Sequence, residues 1–328
     1  MNNSAYPALV GDVGGTNARF AWCAAAGSEL THIQNLSCDD HPDLESVIRS
    51  YLQQTGLGDP RSAAIGIANP VTGDWVRMTN RDWAFSIQTL QKSLNLQKLL
   101  VLNDFTAVAL ALRGLPKSDL VQIGGGLAKS DCAIGLLGAG TGLGVSGLIP
   151  CGKNWTPIQG EGGHVTLSAG NETEYRVIEL LSGQFGHVSA ERVLSGQGLV
   201  SLYTALCQLN GSSAAADITA ADISKHALKL QEPLAMQTLE MFAGFLGSVA
   251  GDLALTLGAR GGIYIAGGIV PRWLGWFERS SFRERFEAKG RFKPYLQSIP
   301  VWVVTTPTSP ALAGAAAALL QSSEHEPN

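Results

Sequence analysis

None of the five cysteines (Cys23, Cys38, Cys132, Cys151, Cys207) stands in a CxxC pair. An odd, scattered set excludes a disulfide framework and a cysteine zinc site, and reads as the reduced thiols of a cytoplasmic protein. Charge is also scarce: charged residues make up 15%, with 23 Lys plus Arg against 27 Asp plus Glu. The resulting net charge of −4 leaves no basic surplus to neutralise a nucleic-acid backbone or a membrane surface. No long apolar run is uninterrupted. The most apolar stretch, Met241 to Val270, is broken by Asp252 and Arg260, so no membrane span is expected. The opening MNNSAYPALV lacks the basic and apolar regions of a secretion signal. Nucleic acid and membrane are therefore not expected partners.

What is present is core material and glycine. The 328 residues are 45% hydrophobic, enough for one large domain or two ordinary ones. The 39 glycines gather in turns, where backbone must come close to something. The first such turn lies in LVGDVGGTNARFAW, between two apolar segments that read as strands. It carries no lysine and leads into no helix, so neither a Walker A loop nor a dinucleotide fingerprint fits. Gly14 and Gly15 leave room for backbone N–H groups to converge on an anion, with Thr16 and Asn17 as further donors. Asp12 would repel a bare phosphate and makes sense with a divalent cation between them. The plain alternative is a tight hairpin with Asp as turn former.

Strand and helix patterns then alternate. Helical spacing covers Asp43 to Gln54, Ser86 to Leu94 and Phe105 to Leu112; Ala63 to Ala68 and Leu99 to Leu102 read as strands. Such alternation predicts an α/β sheet covered by helices. At Ala133 the opening architecture recurs: a strand, the turn GAGTGLG (138 to 144), then VSGLIP. Two lobes, each opening with strand, Gly turn and strand, would present two phosphate-facing turns across one cleft. Mostly helical segments follow from about 171 to 258, then a strand in GIYIAGGIVP, a last strand in IPVWVV and an alanine-rich helix from Ala311 to Leu320.

Three further motifs carry polar groups. Asn103 and Asp104 end a strand and open a helix, where Asn and Asp are ordinary caps, yet strand ends in open α/β sheets also receive ligands. GEGGHV sets Glu161 and His164 around paired glycines, and GHVSAERVLSGQG carries His187 and Glu191. Carboxylate and imidazole suit sugar hydroxyls; the plain alternative for Glu191 is an acid in a helix first turn. Gly267 and Gly268 end the strand of IAGGIVP, at a position open to an adenine or to a simple turn.

Together these stretches resemble the bacterial ATP-dependent glucokinases of the hexokinase/actin superfamily, in the branch without the ROK zinc motif. The resemblance runs from LVGDVGGTNAR to IPVW and is dense at TGDWVRMTNRDWAFSI, LNDFTAVA, GAGTGLGV, GEGGHV, GHVSAERVLSG, IYIAGGIVPR and GRFKPY. It implies a two-lobed, actin-like (ribonuclease H-like) α/β fold with a ligand cleft: a small domain of 1–114 plus 305–328 and a large one of 115–304 with a helical insertion. It implies phosphoryl transfer from ATP to the glucose 6-hydroxyl, with Asp104 as general base. Asn103, Asp104, Glu161, His164 and Glu191 match sugar ligands. Gly11, Asp12, Val13, Gly14, Gly15 and Thr16 match one phosphate loop; Gly140, Thr141 and Gly142 match the other. Gly267 and Gly268 match the adenosine-side turn, and Asp12 would hold Mg²⁺ through water. The family also suggests a homodimer. Two departures stand out: Gln197 where proline is expected, and a looser stretch after Thr305. Rival readings are a sibling hexose or amino-sugar kinase, an actin-like assembly protein, and a sugar-responsive repressor, which would need a DNA-binding module before Asp12.

Overall fold

The computed structural model describes residues 5–152 and 154–324. The chain divides into two compact units. One comprises the chain up to Pro116, Cys151–Gln159 and the chain from Thr306 onward; the other comprises Lys117–Pro150 and Gly160–Thr305.

The first unit contains β1 (Ala8–Val13), β2 (Asn17–Cys23), β3 (Leu30–Ser37), α1 (Leu44–Thr55), β4 (Ser62–Ile67), β5 (Trp75–Arg77), β6 (Ala84–Ser86), α2 (Ile87–Ser93), β7 (Lys98–Asn103) and α3 (Asp104–Ala111). Its main sheet has the order β3-β2-β1-β4-β7. β1 and β2 pair antiparallel, whereas β4 and β7 run parallel to β1. Period-two alternation splits β1 between two cores. Leu9 and Val13 join Phe20, Ile48, Tyr51 and Ile65 on one face; Ala8 and Val10 join Ala21, Ala64, Leu312 and Leu319 on the other. Helix α1 follows its sequence signals. Asp43 accepts from the Ser46 N–H at its start, Gly56 adopts φ 64° at its end, and Leu44, Val47, Ile48 and Tyr51 form the buried stripe.

The second unit contains β8 (Leu120–Ile123), β9 (Ile134–Ala139) and β10 (Leu143–Cys151). After β11 (Asn154–Ile158), which lies in the segment grouped with the first unit, come α4 (Glu172–Phe185), α5 (Gly196–Leu209), α6 (Ala220–Leu230), α7 (Pro233–Leu257) and β12 (Gly262–Ala266). Short helices α8 (Leu274–Phe277), α9 (Phe282–Glu287) and α10 (Lys293–Gln297) precede β13 (Val301–Val304), and α11 (Pro310–Glu324) closes the described chain. Strands β10, β9, β12 and β13 lie side by side, with β9–β10 antiparallel and β12 parallel to both β9 and β13. This repeats the β2-β1-β4-β7 plan of the first unit, so architecture recurs without sequence repetition.

Helix α7 is long and apolar enough by length and composition to cross a membrane, but 67% of that window is buried inside the protein. Glycines let its neighbours come close. A Cβ on Gly247 would lie 2.3 Å from the Phe282 carbonyl oxygen, and one on Gly251 would lie 2.6 Å from that of Phe286. In the first unit a Cβ on Gly314 of α11 would lie 1.6 Å from the Ala107 carbonyl oxygen of α3.

Several boundaries differ from the sequence expectations. Ser86 does not begin α2 but caps it, accepting from the Thr89 N–H at 3.1 Å. The strand in GIYIAGGIVP stops at Ala266, because Gly267 turns the chain at φ 84°. Strand β3 lacked a period-two signal because it lies at the sheet edge with most side chains exposed.

Candidate active site

Asn103 and Asp104 stand where β7 gives way to α3, and they divide the expected work. Asn103 is the cap, its Oδ1 accepting from the Thr106 N–H at 3.1 Å. Asp104 is the first helical residue, its Oδ1 accepting from the Phe105 N–H at 2.8 Å and from Asn103 Nδ2 at 3.1 Å. Asn103 therefore makes the N-cap bond, and Asp104 Oδ1 takes a second first-turn amide, that of Phe105. A Cβ on Gly66 of β4 would lie 3.3 Å from Ala107 Cβ of α3, a tight approach, and at ordinary contact distance, 3.5 Å, from Asp104 Cα.

The first Gly turn joins β1 to β2 as a hairpin. Gly14 closes it by donating to the Asn17 carbonyl at 2.9 Å, so that N–H is not directed at a ligand. The turn's carbonyls are held from behind: Gly15 O accepts from Arg81 Nη1 at 2.7 Å, and Thr16 O accepts from the Cys38 N–H at 2.8 Å. The N–H groups of Gly15 and Thr16 make no hydrogen bond among the described residues. With the carbonyls facing protein donors, the amides are the turn's available polar groups, as an anion nest requires. Asp12, on β1 beside the turn, accepts from Ser309 at 2.6 Å and faces Arg19 at 3.4 Å. It is one carboxylate, with no group of three potential metal ligands among the described residues. A single carboxylate fits an ion that keeps most of its water and takes its other ligands from nucleotide phosphates.

In the second unit the structure gathers several of the candidates. The turn between β9 and β10 is closed by Gly140, which donates to the Gly142 carbonyl at 2.8 Å. The Gly140 carbonyl accepts from the Gly196 N–H at 2.8 Å, tying the turn to the start of α5. A Cβ on Gly267 would lie 2.3 Å from the Ala139 carbonyl oxygen, so Gly267 passes directly against the end of β9, where the turn begins, whereas a Cβ on Gly268 would meet nothing within 4 Å. Glu191 lies in a 3₁₀ turn, and its Oε2 accepts from the Leu143 N–H at 2.8 Å. His164 Nδ1 is 4.0 Å from the other oxygen, Oε1. Glu161 and His164 bracket a 3₁₀ turn and are exposed. The glycines between them serve packing: a Cβ on Gly163 would lie 2.1 Å from the Leu143 carbonyl oxygen, and one on Gly162 would lie 2.8 Å from Val145. Backbone here approaches β10, a different reason for paired glycine from the ligand approach expected from the sequence.

Three groups were missed by sequence reasoning. Arg81 holds Gly15 and Asp39 and stacks 4.8 Å above the Trp83 ring. Ser309 supports Asp12 from a position 297 residues away in the chain. His187 was quoted without a role; its Nε2 lies 3.0 Å from Thr166 Oγ1. The Val165 carbonyl accepts from Ala190, which further joins the His164 segment to the Glu191 segment. Only the long TGDWVRMTNRDWAFSI stretch signalled Arg81 in advance, and no periodicity signalled Ser309.

A model of the glucokinase family matches residues 9–322. The chain belongs to the glucokinase family. The glucokinase of Aromatoleum aromaticum is 53% identical, over 96% of this chain and 95% of that one. The crystal structure of a glucokinase from an Antarctic psychrotroph superposes with a TM-score of 0.86 at 35% identity, covering 96% of this chain and 98% of the other. The fold alone extends further. A ROK family glucokinase from Streptomyces griseus, solved with glucose and AMPPNP, gives a TM-score of 0.64 at 18% identity over 94% and 97% of the two chains. The fold is thus that of the α/β sugar kinases, with mixed sheets in both units.

Proposed function

We propose that the protein transfers the γ-phosphoryl group of ATP to the 6-hydroxyl of glucose, yielding glucose 6-phosphate and ADP. The observation that supports this is the placement of Asp104, a carboxylate that opens α3 at the end of β7, in a chain that matches the glucokinase family over nearly its whole length. The two units would serve as the small and large domains of the enzyme. Asp104 accepts the 6-hydroxyl proton as oxygen bonds to phosphorus and the bond to the ADP oxygen breaks. Asn103, Glu161, His164 and Glu191 take the remaining sugar hydroxyls, which offer donors to carboxylates and exchange bonds with imidazole and amide. The amides of the first turn and the turn Gly140–Thr141–Gly142 hold phosphate oxygens, and Gly267 and Gly268 take the adenosine side. Mg²⁺, where bound, supplies positive charge to the phosphates, and Asp12 is the residue that would hold its water shell. In this account backbone amides and metal replace the lysine absent from the turn.

Support for ATP and glucose as the substrate pair comes from the family match together with the chemistry of these side chains. A coupled assay with ATP, Mg²⁺ and a panel of hexoses, read as sugar 6-phosphate, tests it. Turnover should be strongest on glucose and vanish in excess EDTA. No turnover on any hexose would refute the proposal.

A further inference from the structure

The second Gly turn and the sugar-side carboxylate are parts of one hydrogen-bonded unit. Glu191 Oε2 accepts from the Leu143 N–H, the first residue after the turn, at 2.8 Å. Its other oxygen is 4.0 Å from His164 Nδ1. The carboxylate therefore has one oxygen on the nucleotide-side turn and the other toward a sugar-side imidazole. Space at this contact depends on one glycine. A Cβ on Gly142 would lie 2.5 Å from Glu191 Oε2, whereas a Cβ on Gly140, in the same turn, would meet nothing within 4 Å. Neither glycine has a positive φ, so alanine is compatible with the backbone at both.

From this geometry we infer that Gly142 is a positioning residue for sugar binding. Its missing side chain lets Glu191 bridge the phosphate turn and His164, and so links the sugar site to the nucleotide site. The inference rests on the sugar-binding roles proposed above for Glu191 and His164. Linkage is reciprocal: whatever moves the turn when nucleotide binds must move Glu191, and glucose held by Glu191 must bias the turn. The clashing atom is the far end of a flexible side chain, so an added methyl displaces the carboxylate rather than the backbone.

The test measures glucose affinity by titration calorimetry with no nucleotide present, so a change in phosphate binding does not contribute. Gly142→Ala should raise the glucose dissociation constant about tenfold, the cost of roughly one charge-assisted hydrogen bond. Gly140→Ala should leave it within twofold. In a Glu191→Ala background the added methyl at Gly142 should have no further effect, since it acts through the missing carboxylate. Hydrogen exchange at the Leu143 amide should speed up in both Gly142→Ala and Glu191→Ala. Unchanged glucose affinity in Gly142→Ala, equal effects at Gly140 and Gly142, or additive effects with Glu191→Ala would each overturn the inference. A wild-type protein that binds no glucose would overturn the functional proposal and the linkage with it. Leu143 exchange reports the carboxylate contact independently of that outcome.

Discussion

Replacing Asp104 by asparagine separates chemistry from structure at a single oxygen. Asp104 Oδ1 accepts from the Phe105 N–H at 2.8 Å and from Asn103 Nδ2 at 3.1 Å. Asparagine presents a carbonyl oxygen of the same geometry, so both bonds persist. The helix cap also persists, because Asn103 makes it. One structural loss is the interaction of a first-turn acid with the helix dipole, about 0.3–1 kcal/mol. The chemical loss is the base. A positioned general base contributes about 10²–10⁴ in rate, which is roughly 2.7–5.4 kcal/mol at about 1.36 kcal/mol per tenfold. Purified Asp104→Asn should therefore keep its urea midpoint within the small structural cost and keep glucose affinity within a few-fold. Its kcat, read in the coupled sugar-phosphate assay, should fall at least a hundredfold. For contrast, Asn103→Ala should lose about 1 kcal/mol of stability from the missing cap. A kcat for Asp104→Asn within threefold of wild type would refute the assignment. So would a fall in kcat matched by an equal loss of folded protein.

Other perturbations have separate readouts. Arg81→Ala removes the donors to the Gly15 carbonyl and Asp39, and should raise the KM for ATP several-fold with a smaller change in the KM for glucose in steady-state kinetics. Gly314→Ala forces a methyl to within 1.6 Å of the Ala107 carbonyl oxygen and should destabilise by about 1–3 kcal/mol or more, seen as a lower urea midpoint. Burial pushes the Cys23 and Cys38 thiols up, whereas Cys151 is exposed. Iodoacetamide at about pH 8 should label Cys151 first, as mass spectrometry would show, because the thiolate is the nucleophile. Hydrogen bonds from Ser86 and then Gln88 hold the Asp74 carboxyl below its ordinary range. A depressed carboxylate contributes stability above its unfolded pKa and loses it as pH falls through the folded value. Asp74→Asn should therefore flatten the pH dependence of the urea midpoint between about pH 5 and pH 3.

The sequence by itself determined much of the architecture. Apolar runs near strand length and helical stripes such as Leu44, Val47, Ile48 and Tyr51 are local patterns, and burial of an amphipathic face follows from its period. The two strand–turn–strand openings were legible for the same reason. So was the family, through long motifs spread along the chain. Local pattern does not report which atoms meet across the fold. Asn103 and Asp104 are adjacent and equally good caps in sequence; only the structure, with φ −61° and ψ 144° at Asn103, makes Asn103 the cap and Asp104 the first helical residue. The glycines of GEGGHV looked like room for a ligand, but β10 occupies the space beside them. Ser309 reaches Asp12 because α11 returns to the first unit, and Glu191 reaches Leu143 because a 3₁₀ turn aims it there. Those contacts link residues 48 to 297 positions apart. Tertiary packing selects them, since a hydrogen bond depends on where two atoms lie in space and carries no periodicity along the chain.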